Sequence, residues 1–253
     1  MSSVPVGLVV VTILFGSAVL GLVVARFLPE HHLSPETKNA VSVSMAVVGT
    51  LSALVVGLLI SASDASFNKK ASEVAEMSTD MINLDRLLRR YGPEAQDIHA
   101  MLRRYAEAKR QDLFPAKTAH KPDMENKATL SVLEAIQDRI LALAPANDTQ
   151  RWLQAQSLQA TDAIMAAHWQ LVQEDASRTP RPLLVLVMFW FVVIFASFGL
   201  FAPCNVTSLV AILLCSVGIG SAIRMTSELQ TPFTGLIRIS GEPMAHAVAE
   251  IGG

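Results

Sequence analysis

The sequence predicts an all-α integral membrane protein: four transmembrane helices with a helical bundle inserted between spans two and three. Three observations predict it. Of 253 residues, 51% are hydrophobic and 17% charged, whereas a soluble domain of this size carries about a quarter charged residues. The deficit is local. Val4–Ala25, Ala40–Ser63, Leu183–Ala202 and Val206–Ile223 hold almost no charge, and a helix needs roughly 20 such residues to cross a ~30 Å hydrocarbon core. Between the second and third windows, residues 64–182 concentrate 16 Lys/Arg and 17 Asp/Glu, with no period-two alternation long enough for a sheet.

The first window opens a transmembrane hairpin, residues 1–63. Val23-Val24-Ala25 resembles a signal-peptide cleavage site, but Met1–Ser3 carries no Lys or Arg and the apolar run exceeds an h-region of about 7–15 residues. The first span is therefore expected to stay in the mature chain. The second window turns charged at Asp64 with no proline and, past Gly57, no glycine to break the helix. Phe67, Ala71, Val74, Met77, Met81, Leu84, Leu88 and Tyr91 then recur at close to 3.5 residues, the seam of a coiled-coil-like helix. One rod from residue 40 to about 91 follows, stopped by Gly92-Pro93.

The rest of the 64–182 domain reads as helices. One runs from about Pro93 to Leu113 with Ile98, Leu102 and Tyr105 on one face. The loop Pro115–Asn126 precedes a helix with Leu130, Leu133, Ile136 and Ile140 inward, ending near Pro145. Asp148 is expected to cap a long helix carrying Trp152, Ile164, Leu171 and Val172. A second transmembrane hairpin, 183–223, turns at Pro203-Cys204-Asn205. Residues 224–253 form an apolar strap with Phe233, Leu236, Ile237 and Ile239, then a short helix from about Pro243.

Lys69, Lys70, Arg178, Arg181, Arg224 and Arg238 flank the spans on one side, Arg26 and Lys38 on the other. By the positive-inside rule the helical domain, both termini and the strap are cytoplasmic. Cys204 and Cys215 suggest neither a disulfide framework nor a metal site. A net charge of −2 gives no reason to expect a nucleic-acid partner. There is no HExxH spacing, no G-x-S-x-G and no phosphate-binding glycine loop, so no enzyme, metal or cofactor is expected.

Three motifs carry a family resemblance: Gly57-Leu58-Leu59-Ile60-Ser61-Ala62; Leu84-Asp85-Arg86 with Tyr91-Gly92-Pro93-Glu94; and Glu228-Leu229 with Pro232-Phe233-Thr234-Gly235. Together they resemble the bestrophin-like family of small bacterial membrane proteins, distantly similar to bestrophin anion channels. The resemblance implies four spans, a pentameric homo-oligomer in the bacterial inner membrane and a pore lined by the second span; the strap must be buried against its own helical domain or an adjacent subunit, and the resemblance favours the latter. The sequence departs from true bestrophins in lacking an aromatic cluster in span two and a compact acidic calcium clasp.

Candidate functional residues follow. On a helical wheel Met45, Ser52, Val56, Leu59, Ser63 and Ser66 share one face. It lines a pore, with apolar residues gating by dewetting and hydroxyls replacing hydration, or it is a packed face whose serines bond back to their own carbonyls. Gly49, Ala53 and Gly57 suit close helix packing. Asp64 at the membrane edge is either simply solvated or paired with Lys69 or Lys70, or it forms with its copies a ring of acids at a pore mouth, which would favour cations. Arg89, Arg90, Arg103 and Arg104, with Lys109 and Arg110, offer an anion-attracting vestibule or an ordinary solvated surface paired with Glu94, Asp97 and Glu107. His31-His32 is a candidate pH sensor. The reading is an anion channel; its rival is a non-conducting, membrane-anchored scaffold with a helical docking domain.

Overall fold

The computed structural model describes residues 3–29, 34–115, 122–176, 181–203 and 205–252. His31, His32, Cys204 and Arg178 lie outside them. Eight α-helices are seen: α1 (Ser3–Ala25), α2 (Pro35–Tyr91), α3 (Gln96–Leu113), α4 (Lys127–Leu141), α5 (Asp148–Ala176), α6 (Arg181–Phe201), α7 (Val206–Leu229) and α8 (Glu242–Gly252). No strand occurs among the described residues. Two units form, residues 1–65 with 179–231 and residues 66–178 with 232–253.

The first unit holds the apolar helices. α1, α6, α7 and the first half of α2 are each long and apolar enough to span a bilayer, which makes the chain an integral membrane protein. Lipid tails are as apolar as leucine, so spanning helices associate through close packing rather than hydrophobic exclusion. Glycine provides it here. A Cβ added at Gly199 of α6 would fall 1.8 Å from the Ala18 carbonyl oxygen, and one at Gly21 of α1 would fall 2.1 Å from that of Ala196. The α1–α6 backbones therefore touch. Gly220 of α7 meets α1 similarly, 2.5 Å from Val11 Cγ2. Leu14, Phe191 and Phe195 fill the core between these crossings. Hydroxyls in the spans bond back along their own helices, as Ser216 does to the Ile212 carbonyl at 2.8 Å.

The second unit is an ordinary side-chain core. Val74, Met77, Met81, Leu84, Leu88 and Tyr91 of α2 are all buried, and Phe67 and Ala71 pack against them. The 3.5-residue seam is thus the face that meets the bundle, with Ile98, Leu102 and Tyr105 of α3, Leu133, Ile136 and Ile140 of α4, and Ile164 and Leu171 of α5. α2 ends at Gly92, whose φ of 127° is a conformation that side-chain-bearing residues avoid; Pro93 then starts a single 3-10 turn, Pro93–Ala95. α5 is capped by Asn147, whose Oδ1 accepts from the Gln150 N–H at 2.8 Å. Asp148, the expected cap, instead pairs with Arg151 one turn on.

The two ends of the strap pack within their own unit, one of the two alternatives the sequence left open. Phe233 and Ile239 are buried in their own unit's core, with Phe233 edge-on to Phe114 at 5.6 Å. The Ile239 N–H donates to the Pro232 carbonyl at 2.8 Å, closing the strap into a loop, and Leu236 at its tip is exposed. A short loop can bury its two ends in cis; an extended strap could not.

The glycine crossings predict opposite effects of one substitution. Gly199→Ala forces the α1 and α6 backbones apart and should destabilise the detergent-solubilised protein by roughly 1–3 kcal/mol. Gly16→Ala, where a Cβ meets nothing within 4 Å, should be neutral or stabilising by up to about 1 kcal/mol. Thermal unfolding by circular dichroism reads both.

Candidate functional site

What a spanning helix can do depends on which of its sides is left open. In α2 the answer is clear. Ser52, Leu59 and Ser63 are 5%, 7% and 3% exposed, and Met45 and Val56 pack against the core of Phe191 and Ile194. The face singled out from the sequence is therefore covered by the protomer's own helices. Val47, Leu51, Leu54 and Leu58, on the opposite side of the wheel, are 57–62% exposed. Ala53 and Gly57 lie open at the flank, and Gly49 only reaches Ile194 Cδ1 at 4.0 Å. The close glycine contacts of this unit lie elsewhere, at Gly21, Gly199 and Gly220. The Ser63 hydroxyl is buried without a hydrogen-bond partner among the described residues.

Below Asp64, which is exposed, polar groups of α2 and α5 join. The Lys69 ammonium donates to Glu174, and the Ser66 hydroxyl approaches the same carboxylate at 3.4 Å. The Lys69 ammonium holds the Glu174 carboxyl below the usual range. With its amide nitrogen turned inward, Gln170 donates to Glu73 at 2.9 Å. Lys70 and Glu73 are buried. Of the three residues assigned to the mouth, Lys69 thus pairs with α5 and Lys70 is buried.

The arginine pairs separate in the same way. Asp85, buried, accepts from Arg89 Nε at 2.8 Å and lies 2.7 Å from His99 Nε2. Arg89 also reaches the Ile251 carbonyl at 3.4 Å, so it meets the unpaired carbonyls at the C-terminal end of α8. Arg86 lies 3.8 Å from Glu250. Within the Leu84-Asp85-Arg86 motif, Asp85 faces α3 through His99 and Arg86 faces α8. Arg103 faces Glu107 at 3.5 Å and Arg104 the Ala100 carbonyl at 3.3 Å, while Arg90 is exposed. Glu228 is buried, and Gly235 takes a φ of 129°.

Lys109 departs from the surface reading. It is 1% exposed, and its Nζ lies 2.8 Å from His168 Nδ1, itself buried. Lys109 has only donors, so Nδ1 is the acceptor and the imidazole is neutral. Burial lowers Lys109 to about 8, against the opposing pull of Asp112 and Asp123. Burial, then the Lys109 charge, lowers His168 to about 4. One turn before Lys109 on α3, the Tyr105 hydroxyl is buried without a partner among the described residues. Nothing in the sequence distinguishes this lysine from its basic neighbours except its i+4 step from Tyr105, which continues the buried face.

Four spanning helices, one of them prolonged into a separate helical bundle, define a class of all-helical membrane protein. The Bestrophin-like domain family matches residues 12–244, and the chain belongs to that family. Solved structures of a bacterial bestrophin homologue from Klebsiella pneumoniae share the fold. A single-site variant aligns with a TM-score of 0.72 at 13% identity, over 99% of this chain and 97% of that one. A zinc-phased structure gives 0.65 at 14% identity, over 94% and 96%. No curated protein sequence matches this chain.

The buried pair makes the bundle's stability pH-dependent with a definite sign. Both folded-state values lie below the unfolded ones, about 10.5 for lysine and 6.5 for histidine. The unfolded chain therefore binds more protons between pH 8 and 10.5, and stability rises there. Between pH 6.5 and 4 it again binds more, and stability falls as pH drops. Each limb is worth on the order of 3 kcal/mol at most. Lys109→Met should flatten the alkaline rise and His168→Gln the acid fall, measured by denaturant unfolding across pH.

Proposed function

We propose that this protein is a homo-oligomeric anion channel, pentameric as bestrophins are, seated in the bacterial inner membrane with α2 around the axis. The observation that carries the reading is the state of α2 as it crosses the membrane. One of its faces is built into the protomer, and the other, Val47, Leu51, Leu54 and Leu58, is an uncovered apolar stripe. Symmetric copies of such a stripe around an axis make a hydrophobic constriction that gates by dewetting. The pore face of this reading is the uncovered stripe, not the serine-bearing face. Asp64 stays at the mouth, and Arg90 and Arg104 remain the candidate vestibule cations.

Orientation follows the flanking charges. Lys69, Lys70, Arg224 and Arg238 on the bundle side outnumber Arg26 and Lys38, which favours a cytoplasmic bundle and termini. α2 itself runs unbroken from Pro35 to Tyr91.

Stoichiometry separates this reading from a non-conducting scaffold. Light scattering of the purified protein in detergent should give a ring of about five protomers, and chloride flux from proteoliposomes should rise severalfold in Leu54→Ala and Leu58→Ala while Ser52→Ala leaves it unchanged. A monomer or dimer cannot surround a pore with single copies of α2. That outcome, or flux indifferent to Leu54 and Leu58, contradicts the channel.

A further inference from the structure

One groove in the four-span unit is filled by none of the protein's own side chains. Its volume is about 460 Å³, inside the roughly 300–1,000 Å³ typical of ligand sites. It runs between α1, α2 and α6, walled by Leu20, Val24, Val41, Met45, Leu200 and Phe201 among others. The wall is almost wholly hydrocarbon. Of its two serines, Ser17 has already committed its hydroxyl to the Leu14 carbonyl at 2.7 Å. Gly21 forms part of the floor, at the point where the α1 and α6 backbones touch.

Two cations stand within three residues of the groove's lining in sequence. Arg26 follows the lining Val24 by two residues, in the turn that closes α1. Lys38 precedes the lining Val41 by three, so the two share one face of α2 about 4.5 Å apart along the axis. Both cations are exposed, and neither side chain has an ion pair or hydrogen bond among the described residues. One described acid, Glu36, stands two residues before Lys38. These are also the two flanking cations that run against the charge asymmetry of the chain.

An apolar groove with an exposed cation two residues beyond its α1 lining and another three residues before its α2 lining complements a molecule with a hydrocarbon tail and an anionic head. We propose that the groove holds an acyl chain of an anionic glycerophospholipid of the phosphatidylglycerol class, with the headgroup phosphate between Arg26 and Lys38. Water finds too few polar partners on this wall to fill it. A helix from a second copy would match the apolar wall but leave two cations facing hydrocarbon, which is costly. A lipid satisfies both ends at once: its tail fills the apolar wall by close packing, and the phosphate takes up the charge.

The test uses the full chain in detergent and two lipids with identical acyl chains, phosphatidylglycerol and phosphatidylcholine, titrated and read by native mass spectrometry. Phosphatidylglycerol should be retained in preference. R26Q/K38Q alters only exposed side chains and should weaken phosphatidylglycerol binding about 25-fold, roughly fivefold for each cation near an anionic surface. Phosphatidylcholine binding should change little. V41W, which fills the groove, should remove both. Equal retention of the two lipids, or an R26Q/K38Q variant that binds phosphatidylglycerol as before, overturns the headgroup assignment. If V41W leaves lipid binding intact but changes the oligomeric mass, the groove belongs to a second copy and the proposal fails.

Discussion

Everything in this protein hangs on α2 satisfying its own backbone from Pro35 to Tyr91. In hydrocarbon no water is available to an exposed N–H or C=O, so a spanning segment must pair them internally. In water the same ladder persists only if tertiary packing supports it. α2 meets both demands with one helix of 57 residues, and what changes along it is only the side chains. From Ala40 to Ser63 they carry no charge. After Phe67 they narrow to a seam every 3.5 residues, flanked by charge. No proline or positive-φ residue interrupts the run, and the first residue able to stop it, Gly92, is where it stops.

The two units are held by different forces because their surroundings differ. The bundle gains from removing apolar surface from water, about 1.5–3 kcal/mol for each fully buried large side chain, and Met77, Met81, Leu84 and Leu88 are such residues. The spans gain nothing of that kind from lipid. They rely on backbone approach at Gly21, Gly199 and Gly220 and on interdigitation of Leu14, Phe191 and Phe195. In the bundle, buried Asp85 faces His99 of α3 and holds Arg89, which reaches the end of α8, while buried Lys109 with His168 joins α3 to α5.

Much of the fold was legible in the sequence, for identifiable reasons. Spans announce themselves by length and lack of charge, and the seam by its period. Side assignment was not legible: a helical wheel groups Ser52, Leu59 and Ser63 but cannot tell whether that face meets a pore or the protomer's own α6. Lys109 looked like its surface neighbours because a burial partner 59 residues away, His168, leaves no local trace. The glycines of α1 and α6 passed as filler since their role is a pairwise approach, visible only once both helices are placed. The α5 cap moved by one residue to Asn147, within the usual uncertainty of helix ends. The strap's cis docking depends on a turn at Gly235 that a list of apolar residues does not reveal.

The most direct measurement of the central claim, that the uncovered side of α2 faces water rather than lipid, is thiol accessibility during chloride flux. In a background with Cys204 and Cys215 replaced by serine, cysteine is introduced singly at Leu58 and at the adjacent Leu59. A membrane-impermeant, water-soluble thiol reagent should modify Leu58→Cys and block flux, and should spare Leu59→Cys. Modification of Leu59→Cys instead, or of neither, would contradict an aqueous axis along this face.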